Sequence, residues 1–198
     1  EQLLQMYDAI RQQPDLLVKA AARKRLINFA RYMQPDLVLE PFHVVYYTLL
    51  DMFAHGKIRK MIVQQPPQHG KSEGSSRKLP AFMLGLDPDR KICIGSYAAT
   101  IARDFNRDVQ RIIDTPRYRE LFPGTYLNGS NVVTMANTYL RNSDVIEMVG
   151  RKGSLRVVGR GGSLTSKTVD VSILDDVYKE YAEGNSPIVR AAAWKWYT

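Results

Sequence analysis

One short stretch constrains the fold more than any other part of the chain, because it joins an apolar segment to a glycine-lysine-serine turn. It reads Ile62-Val63-Gln64-Gln65-Pro66-Pro67-Gln68-His69-Gly70-Lys71-Ser72-Glu73. The apolar residues from Lys60 to Val63 predict a strand, and the residues after the turn can open a helix. This layout is typical of a phosphate-binding P-loop, in which N–H groups at the start of a helix hold the phosphates. A strand that enters a helix through such a loop predicts an α/β fold around a nucleotide.

The residue types within the loop suit ATP and Mg²⁺. Lys71 is predicted to contact the β- and γ-phosphates, and the Ser72 hydroxyl is predicted to coordinate Mg²⁺. Gly70 has no Cβ, so the backbone can approach a phosphate closely. The first glycine of the usual motif is replaced by Gln65, and a Gly-Lys-Ser turn in an ordinary surface loop is the alternative interpretation. The predicted loop contacts are Gln65, Pro66, Pro67, Gln68, His69, Gly70, Lys71, Ser72 and Glu73.

A second half-site is predicted where the apolar strand from Val169 to Leu174 ends in Asp175-Asp176. In open α/β sheets the ligand crevice lies at the carboxyl ends of the strands, where the P-loop also lies. Asp175 would hold Mg²⁺ through water, and Asp176 would orient or polarise the attacking water. Glutamate is the usual residue at the second position, so Glu180 is a further candidate for that role. The alternative is that both aspartates are turn or helix-capping residues.

Helical and strand-like segments alternate along the rest of the chain. Residues 1–35 predict an N-terminal helical segment, and residues 36–198 predict one P-loop ATPase domain. Its sheet is expected to be central and mostly parallel, flanked by helices, with a small antiparallel edge extension around residues 125–160. A helix from about Ser72 should kink or end near Leu79, because Pro80 falls inside it.

Composition narrows the class of protein and of partner. The chain has 198 residues, 44% of them hydrophobic and 24% charged, which suits a globular protein. Its single cysteine, Cys93, excludes an intramolecular disulfide and a cysteine-cluster metal site. The net charge of +8 favours a polyanionic partner such as nucleic acid. No apolar run approaches the ~20 residues of a membrane span, and no signal peptide is visible, so no membrane contact is expected.

Short motifs, in this order and spacing, resemble the ATPase domain of the large terminase subunit of tailed bacteriophages, a DNA-packaging motor. The resemblance covers roughly residues 36–198. Its carriers are Glu40-Pro41-Phe42-His43, Gln65 to Glu73, Leu84-Gly85-Leu86-Asp87-Pro88, Gly95-Ser96-Tyr97, Ile101-Ala102-Arg103-Asp104-Phe105, Leu121-Phe122-Pro123, Gly161-Gly162-Ser163-Leu164-Thr165, Leu174-Asp175-Asp176 and Trp194-Lys195-Trp196-Tyr197.

The resemblance implies a RecA-like P-loop NTPase of the ASCE type that hydrolyses ATP to translocate double-stranded viral DNA into a procapsid. It also implies a homo-oligomeric ring on the portal protein, a small terminase subunit as partner, and a C-terminal nuclease domain. Because this chain stops at Thr198, we expect the nuclease domain to be absent from it. The expected location is the cytoplasm of an infected bacterial host and, transiently, the procapsid portal.

The resemblance also assigns individual residues. Phe42 and His43 match the segment that contacts adenine. Gln68 stands where relatives often carry an arginine that reaches the γ-phosphate, so an arginine from a neighbouring subunit is expected instead. Arg160 is the first candidate for that catalytic arginine, and Arg156 and Arg103 are alternates. DNA contact is expected mainly at phosphates, and the candidates are Lys57, Arg59, Arg151, Lys152 and Lys167.

Two other functions fit the same sequence. One is a different RecA-like nucleic-acid ATPase, such as a helicase, whose ATP site would look similar. The other is a nucleotide-binding or DNA-binding scaffold that does not hydrolyse ATP, which the departures at Gln65, Gln68 and Asp176 would favour.

Overall fold

The computed structural model describes residues 14–133, 138–163 and 168–197. Before the sheet lie the helices α1 (Pro14–Lys24), α2 (Leu26–Met33) and α3 (Pro41–Ala54) and a π-helical segment (Glu73–Lys78) that continues into α4 (Leu79–Leu86). The remaining elements are β1 (Lys91–Ser96), α5 (Ala99–Asp114), α6 (Pro116–Leu121), β2 (Val145–Glu147), β3 (Ser154–Gly159), β4 (Val171–Leu174), α7 (Tyr181–Asn185) and α8 (Pro187–Tyr197).

The four strands form one mixed sheet in the order β2-β3-β1-β4. Strand β1 is parallel to both β3 and β4, and only the pair of β2 with β3 is antiparallel. The expected α/β class, with a mostly parallel sheet flanked by helices, is therefore confirmed at this level. The parallel pairing also fixes direction, because β1, β3 and β4 all end at the same edge of the sheet.

Helices cover both faces of the sheet. Ile92 and Ile94 of β1 belong to the core that Phe105 and Val109 of α5 help to form. Neighbouring residues of a strand point to opposite faces, and a Cβ at Gly95 would lie 3.1 Å from Trp196 of α8. Helix α5 therefore packs on one face of the sheet and α8 on the other.

The first two helices belong to the same core as the sheet. The sequence pattern favours one continuous helix after Asp15, but the structure divides it at Arg25, whose backbone is extended. Asp51 of α3 causes the break, because its carboxylate accepts a hydrogen bond of 2.7 Å from the Leu26 N–H and pairs with Arg25 at 3.0 Å. Asp51 thus satisfies an N–H at the start of α2 from outside the helix.

The structure corrects the expected strand from Lys60 to Val63. These residues belong to no strand among those that the structure describes. Their side chains still alternate as in a strand, with Met61 and Val63 against the core and Ile62 91% exposed. Strand β4 is an edge strand of the sheet, with β1 on one side. Residues 60–63 form no hydrogen-bonded ladder with the other side of β4.

Two further expectations change in detail. The helix after the predicted P-loop does not end near Leu79; it passes through the π-helical segment and continues to Leu86. Pro80 falls in the first turn of α4, where its missing N–H is tolerated.

The block at 125–160 is not only an edge extension, because β3 pairs in parallel with β1 inside the sheet. The sequence also predicts a short strand over residues 131–136, and in the part of it that the structure describes Val132 forms a bridge with Arg141. Residues 134–137 lie outside the described part.

Of the helices in the described ranges, none is both long enough and apolar enough to cross a membrane.

We predict that Asp51→Ala lowers the free energy of unfolding by about 2 kcal/mol, because a 7%-exposed carboxylate that holds both Leu26 and Arg25 is lost. Urea denaturation followed by circular dichroism measures this change. Asp104→Ala is the matched control, because Asp104 pairs with Arg107 on an exposed helix surface and should change the free energy by less than about 0.5 kcal/mol. Equal effects of the two substitutions would contradict the role given to Asp51.

Candidate functional site

The twin aspartates are held at the carboxyl edge of the sheet by the end of β1. The Asp175 N–H donates to the Gly95 carbonyl at 2.8 Å, and the Asp176 carbonyl accepts from the Tyr97 N–H at 2.9 Å. Both bonds extend the ladder between β1 and β4 by two residues beyond Leu174. Asp175 is 4% exposed, whereas the side chain of Asp176 is 62% exposed. One acid is therefore part of the interior, and the other faces the crevice.

The P-loop segment turns sharply before its helix begins. Gln68 has φ 61° and Gly70 has φ 74°, and the chain is helical from Lys71 onward. A positive φ is natural for glycine but strained for glutamine. The first N–H groups of a helix have no partner within the helix, and the helix dipole places partial positive charge there. The described turn therefore presents the kind of helix start that binds anions.

The structure brings Lys71, from the predicted P-loop, and the twin acids together. The Lys71 ammonium lies 3.2 Å from Asp175 Oδ1 and 2.5 Å from Asp176 Oδ1. Burial alone would lower the pKa of Lys71, but the hydrogen bond to Asp176 and the charge of Asp175 outweigh it and hold that pKa above its ordinary value. Lys71 is thus a cation at neutral pH, and in this state it is the counter-ion of the buried Asp175.

Two side chains that the sequence did not single out complete this contact. The Ser76 hydroxyl donates to Asp175 Oδ2 at 2.7 Å, and the Tyr46 hydroxyl donates to the Lys71 carbonyl at 2.5 Å. Ser76 could have been found from spacing, because it follows Ser72 by one helical turn and so shares its face. Tyr46 had no such signal, since it comes from α3, far from the P-loop in sequence.

His43 braces the loop from α3. Its Nδ1 accepts from the Glu40 N–H at 3.0 Å, and its Nε2 lies 3.3 Å from the His69 carbonyl. Because Nδ1 is an acceptor, Nε2 carries the proton and donates to His69. His43 therefore joins the first turn of α3 to the loop. Its ring also stacks on Phe42 at 3.9 Å between centroids, and Phe42 is 41% exposed at the mouth of the loop.

The oxygen ligands near the loop suit Mg²⁺ bound together with phosphate better than a metal ion held by protein side chains alone. Mg²⁺ is usually held by one or two protein oxygens, with phosphate oxygens and waters completing its shell. Asp175 is one carboxylate at the sheet edge, and Ser72 lies half-buried in the first helical turn after the loop. No group of three or more His, Cys, Asp or Glu side chains could hold a metal ion within the described ranges. Asp175 and Ser72 could therefore hold Mg²⁺ only together with a phosphate-bearing ligand.

Arg160 is engaged within its own chain. Its guanidinium donates to the Val177 carbonyl at 2.9 Å and to Glu183 Oε2 at 3.0 Å, and it lies over the Tyr178 ring. The hydrogen bond from Lys179 N–H and that from Arg160 lower the pKa of Glu183. Arg160 thus fastens the segment after the twin acids. The alternates are also paired, Arg156 with Glu147 and Arg103 with Asp144.

The other predicted residues take varied positions. Glu73 pairs with Lys78 at 3.1 Å, and Glu180 pairs with Lys179 at 3.4 Å beside the first turn of α7. Pro66 and Pro67 are exposed in the loop, and the His69 Nδ1–H donates to the Pro67 carbonyl at 2.7 Å.

Unsatisfied and strained groups concentrate around this crevice. In the described residues, Gln65 Oε1 and Ser96 Oγ are the buried side-chain polar atoms without a hydrogen-bond partner. The non-glycine residues there with positive φ are Gln68 and Asp176. All four lie on the P-loop segment or at the ends of β1 and β4. Such groups cost stability and tend to mark functional sites.

The predicted DNA contacts fall in two exposed turns. Lys57 and Arg59 lie in the turn after α3, and Arg151 and Lys152 lie in the turn between β2 and β3. Lys167 is outside the described residues.

Comparison with protein-family models, curated proteins and solved structures found no match to this chain.

We predict that Lys71→Met lowers the free energy of unfolding by about 2 kcal/mol at neutral pH, because it leaves Asp175 buried with a single donor, Ser76. Adding Asp175→Asn should recover part of that loss, since the unpaired buried charge is then removed. Chemical denaturation of the two single variants and the double variant gives the coupling free energy.

Asp176→Asn is the matched control, because Asp176 also contacts Lys71 but is mostly exposed. It should cost less than about 1 kcal/mol. Strict additivity of Lys71→Met and Asp175→Asn would show that the two side chains are not in contact.

Proposed function

We propose that this chain is the ATP-hydrolysing domain of a motor that translocates double-stranded DNA. The observation that carries the proposal is the meeting of Lys71 with Asp175 and Asp176 at the carboxyl edge of the sheet. Three further features support it: a helix start behind a glycine turn, a half-buried hydroxyl at Ser72, and a parallel sheet whose strands end at that edge.

In this proposal Lys71 changes partners when ATP binds. In the described state its ammonium neutralises Asp175 and Asp176. A triphosphate at the helix start would attract the same ammonium toward its β- and γ-phosphates. Mg²⁺, when bound, would supply positive charge that stabilises the negative charge of the phosphates. Asp175 and Ser72 would hold it, and Ser76 would keep Asp175 in place through its 2.7 Å hydrogen bond.

Asp176 is the side chain that would act on the attacking water. It is exposed toward the crevice, and its positive φ of 47° is fixed by the bond from Tyr97 N–H to its carbonyl. Release of Lys71 from Asp176 would free the carboxylate to accept a proton from water. Phe42, stacked on His43 beside the loop, would offer its exposed ring to the adenine.

The motor class is the finer part of the proposal. A RecA-like fold of the ASCE type, a homo-oligomeric ring on a portal protein, a small terminase subunit as partner and action on a procapsid inside a bacterial host are proposed from the sequence resemblance. The net charge of +8 supports a nucleic-acid partner. Arg160 remains the proposed arginine for a neighbouring subunit, and to act there it would have to release Glu183.

Phosphate release by the oligomer assembled on double-stranded DNA tests the hydrolysis step. We expect Lys71→Ala and Asp175→Ala each to abolish release. Asp176→Asn should lower the rate at least about 100-fold, the usual loss when a general base is removed, with nucleotide affinity little changed. Lys60→Ala, an exposed lysine just before the loop, should leave the rate unchanged. Unchanged release by both Lys71→Ala and Asp175→Ala would refute the site.

Magnesium dependence tests the role of Ser72. We expect Ser72→Ala to raise the Mg²⁺ concentration for half-maximal ATP binding by about 10-fold, because one oxygen ligand is lost. ATP affinity in the absence of Mg²⁺ should not change. Ser75→Ala is the matched control, since the Ser75 hydroxyl donates to the Lys71 carbonyl at 2.9 Å. Equal shifts in both variants, measured by fluorescent-nucleotide titration, would argue against direct coordination.

A scaffold that binds ATP without hydrolysing it is the second candidate. Its specific support is that Arg160, Arg156 and Arg103 are all paired within the chain, while Gln68 supplies no charge. Under this alternative, Lys71-dependent nucleotide binding would persist, and the assembled oligomer would release no phosphate.

A further inference from the structure

A basic cavity lies at the opposite end of the sheet from the twin acids. It has a volume of about 340 Å³, and its charged lining residues are Lys91, Glu147, Arg151, Lys152 and Arg156. Lys91 begins β1 and Ser154, also in the lining, begins β3. Lys91 and Ser96 are the two ends of the same strand, and at about 3.3 Å per residue they lie roughly 16 Å apart. The cavity is therefore separate from the crevice that holds Lys71.

The cavity opens on the sheet face that carries α8. Lys91 stands opposite Ser154, and Cys93 stands opposite Arg156, so these side chains share one face with Gly95. Trp196 of α8 covers that face near Gly95, at its carboxyl end. The cations thus gather on the amino-terminal half of the same face.

The cations of the cavity outnumber the carboxylates in its lining and at its rim, so the cavity keeps a net positive charge. Among the described residues of the lining, the carboxylate is that of Glu147, whose Oε1 lies 3.7 Å from Arg156 and whose Oε2 accepts from the Leu140 N–H at 3.0 Å. Lys91 Nζ donates to the neutral Thr168 hydroxyl at 2.7 Å. Arg151 and Lys152 are exposed, and neither side chain has an ion pair with any residue that the structure describes. Asp89 and Asp170 stand at the rim, where they accept the backbone N–H groups of Lys152 and Lys91.

We propose that this cavity binds the phosphate groups of a nucleic-acid backbone. The cations span the strands β1 and β3 and the turn beyond, and two strand spacings amount to about 10 Å. Phosphates recur about every 3.4 Å of axis along one strand of a duplex, and they are further apart in space because the strand winds around that axis, so a row of this length can face more than one of them. A row of cations of that length fits a strand of phosphates better than a single small anion. Tyr139 in the lining adds an aromatic surface for the sugar edge.

This inference rests on the proposed nucleic-acid partner but not on ATP chemistry, since none of its residues belongs to the crevice. It also places Arg151 and Lys152 together with Lys91 and Arg156, which the sequence alone did not group.

The test measures the binding of a fluorescent DNA duplex by anisotropy at several salt concentrations. Arg151→Ala/Lys152→Ala removes the two unpaired cations and should weaken binding at low salt by at least about 10-fold. The slope of log K against log[salt] should fall in magnitude by about 1 to 2, since one or two phosphate contacts are lost. Circular dichroism should show an unchanged melting temperature, because both side chains are exposed.

Arg107→Ala/Arg111→Ala is the matched control, because it removes the same charge from two paired, exposed arginines of α5. It should change the affinity less than about 2-fold. Equal weakening by both double variants would show that only net charge matters and would overturn the proposal, as would no effect of Arg151→Ala/Lys152→Ala.

Two further experiments are needed. The first distinguishes a small phosphate anion from a nucleic-acid backbone as the ligand, and the second distinguishes failure of this proposal from failure of the proposed ATP site. If inorganic phosphate or tripolyphosphate protects the cavity lysines from acetylation while DNA does not, the cavity takes small anions and the nucleic-acid proposal is refuted. Lys71→Ala should keep the full salt slope. A reduced salt slope with normal ATP binding in Arg151→Ala/Lys152→Ala, together with a full salt slope and lost ATP binding in Lys71→Ala, would show that the two sites are independent.

Discussion

The contact on which the site depends is the ion pair between Lys71 and the buried Asp175. At 3.2 Å, two unit charges attract each other by roughly 5 kcal/mol at an effective dielectric constant of about 20. Removing a carboxylate from water costs several kcal/mol, so the net gain from the pair is small. Ser76 adds the second donor that an acid with 4% exposure needs. A pair so close to balance can be exchanged for a phosphate at little cost, which is what a nucleotide-dependent switch of Lys71 requires.

The surroundings of this pair are fixed by bonds from distant segments. Helix α3 holds the loop twice, through Tyr46 to the Lys71 carbonyl and through His43 to the His69 carbonyl. Strand β1 holds both acids through Gly95 and Tyr97. A Cβ at Gly74 would come within 2.5 Å of the Tyr46 ring, so the helix after the loop can approach α3 only because that residue is glycine. The lysine and the acids therefore meet because two rigid supports, α3 and β1, position the segments that carry them.

The parts of the fold that follow from local pattern could be predicted from the sequence. The sequence from Lys91 to Ser96 predicts a strand, because Ile92 and Ile94 alternate with small residues, and β1 lies over these residues. The approach of Lys71 to Asp175 was expected because both follow apolar segments that should end at one edge. What could not be predicted depends on residues far apart in the chain. Asp51 breaks the first helix at Arg25, and no sequence pattern near Arg25 indicates this break.

The same reason explains the other differences. The segment before the P-loop has the alternation of a strand, but a strand is defined by its partner, and partner choice is not local. Arg160 was selected for its place beside glycines, whereas its actual partner, Glu183, lies on α7. Tyr46 and Ser76 were missed because neither hydroxyl belongs to a motif, and only the folded chain brings them to Lys71 and Asp175.

The net charge of the residues at the crevice determines whether an anionic ligand needs additional cations to bind there. Lys71, Asp175 and Asp176 together leave one net negative charge, and the partial positive charge of a helix start, about half a unit, does not cancel it. A triphosphate adds several more negative charges at the same place. A nucleotide can therefore bind stably only with cations that these three residues do not supply. A divalent ion, held by Asp175 in the proposed site, would meet part of that demand. The arginines considered for the remainder are held by Glu183, Glu147 and Asp144. The proposed phosphoryl transfer would therefore require a further positive group, either from a neighbouring molecule or from a released Arg160.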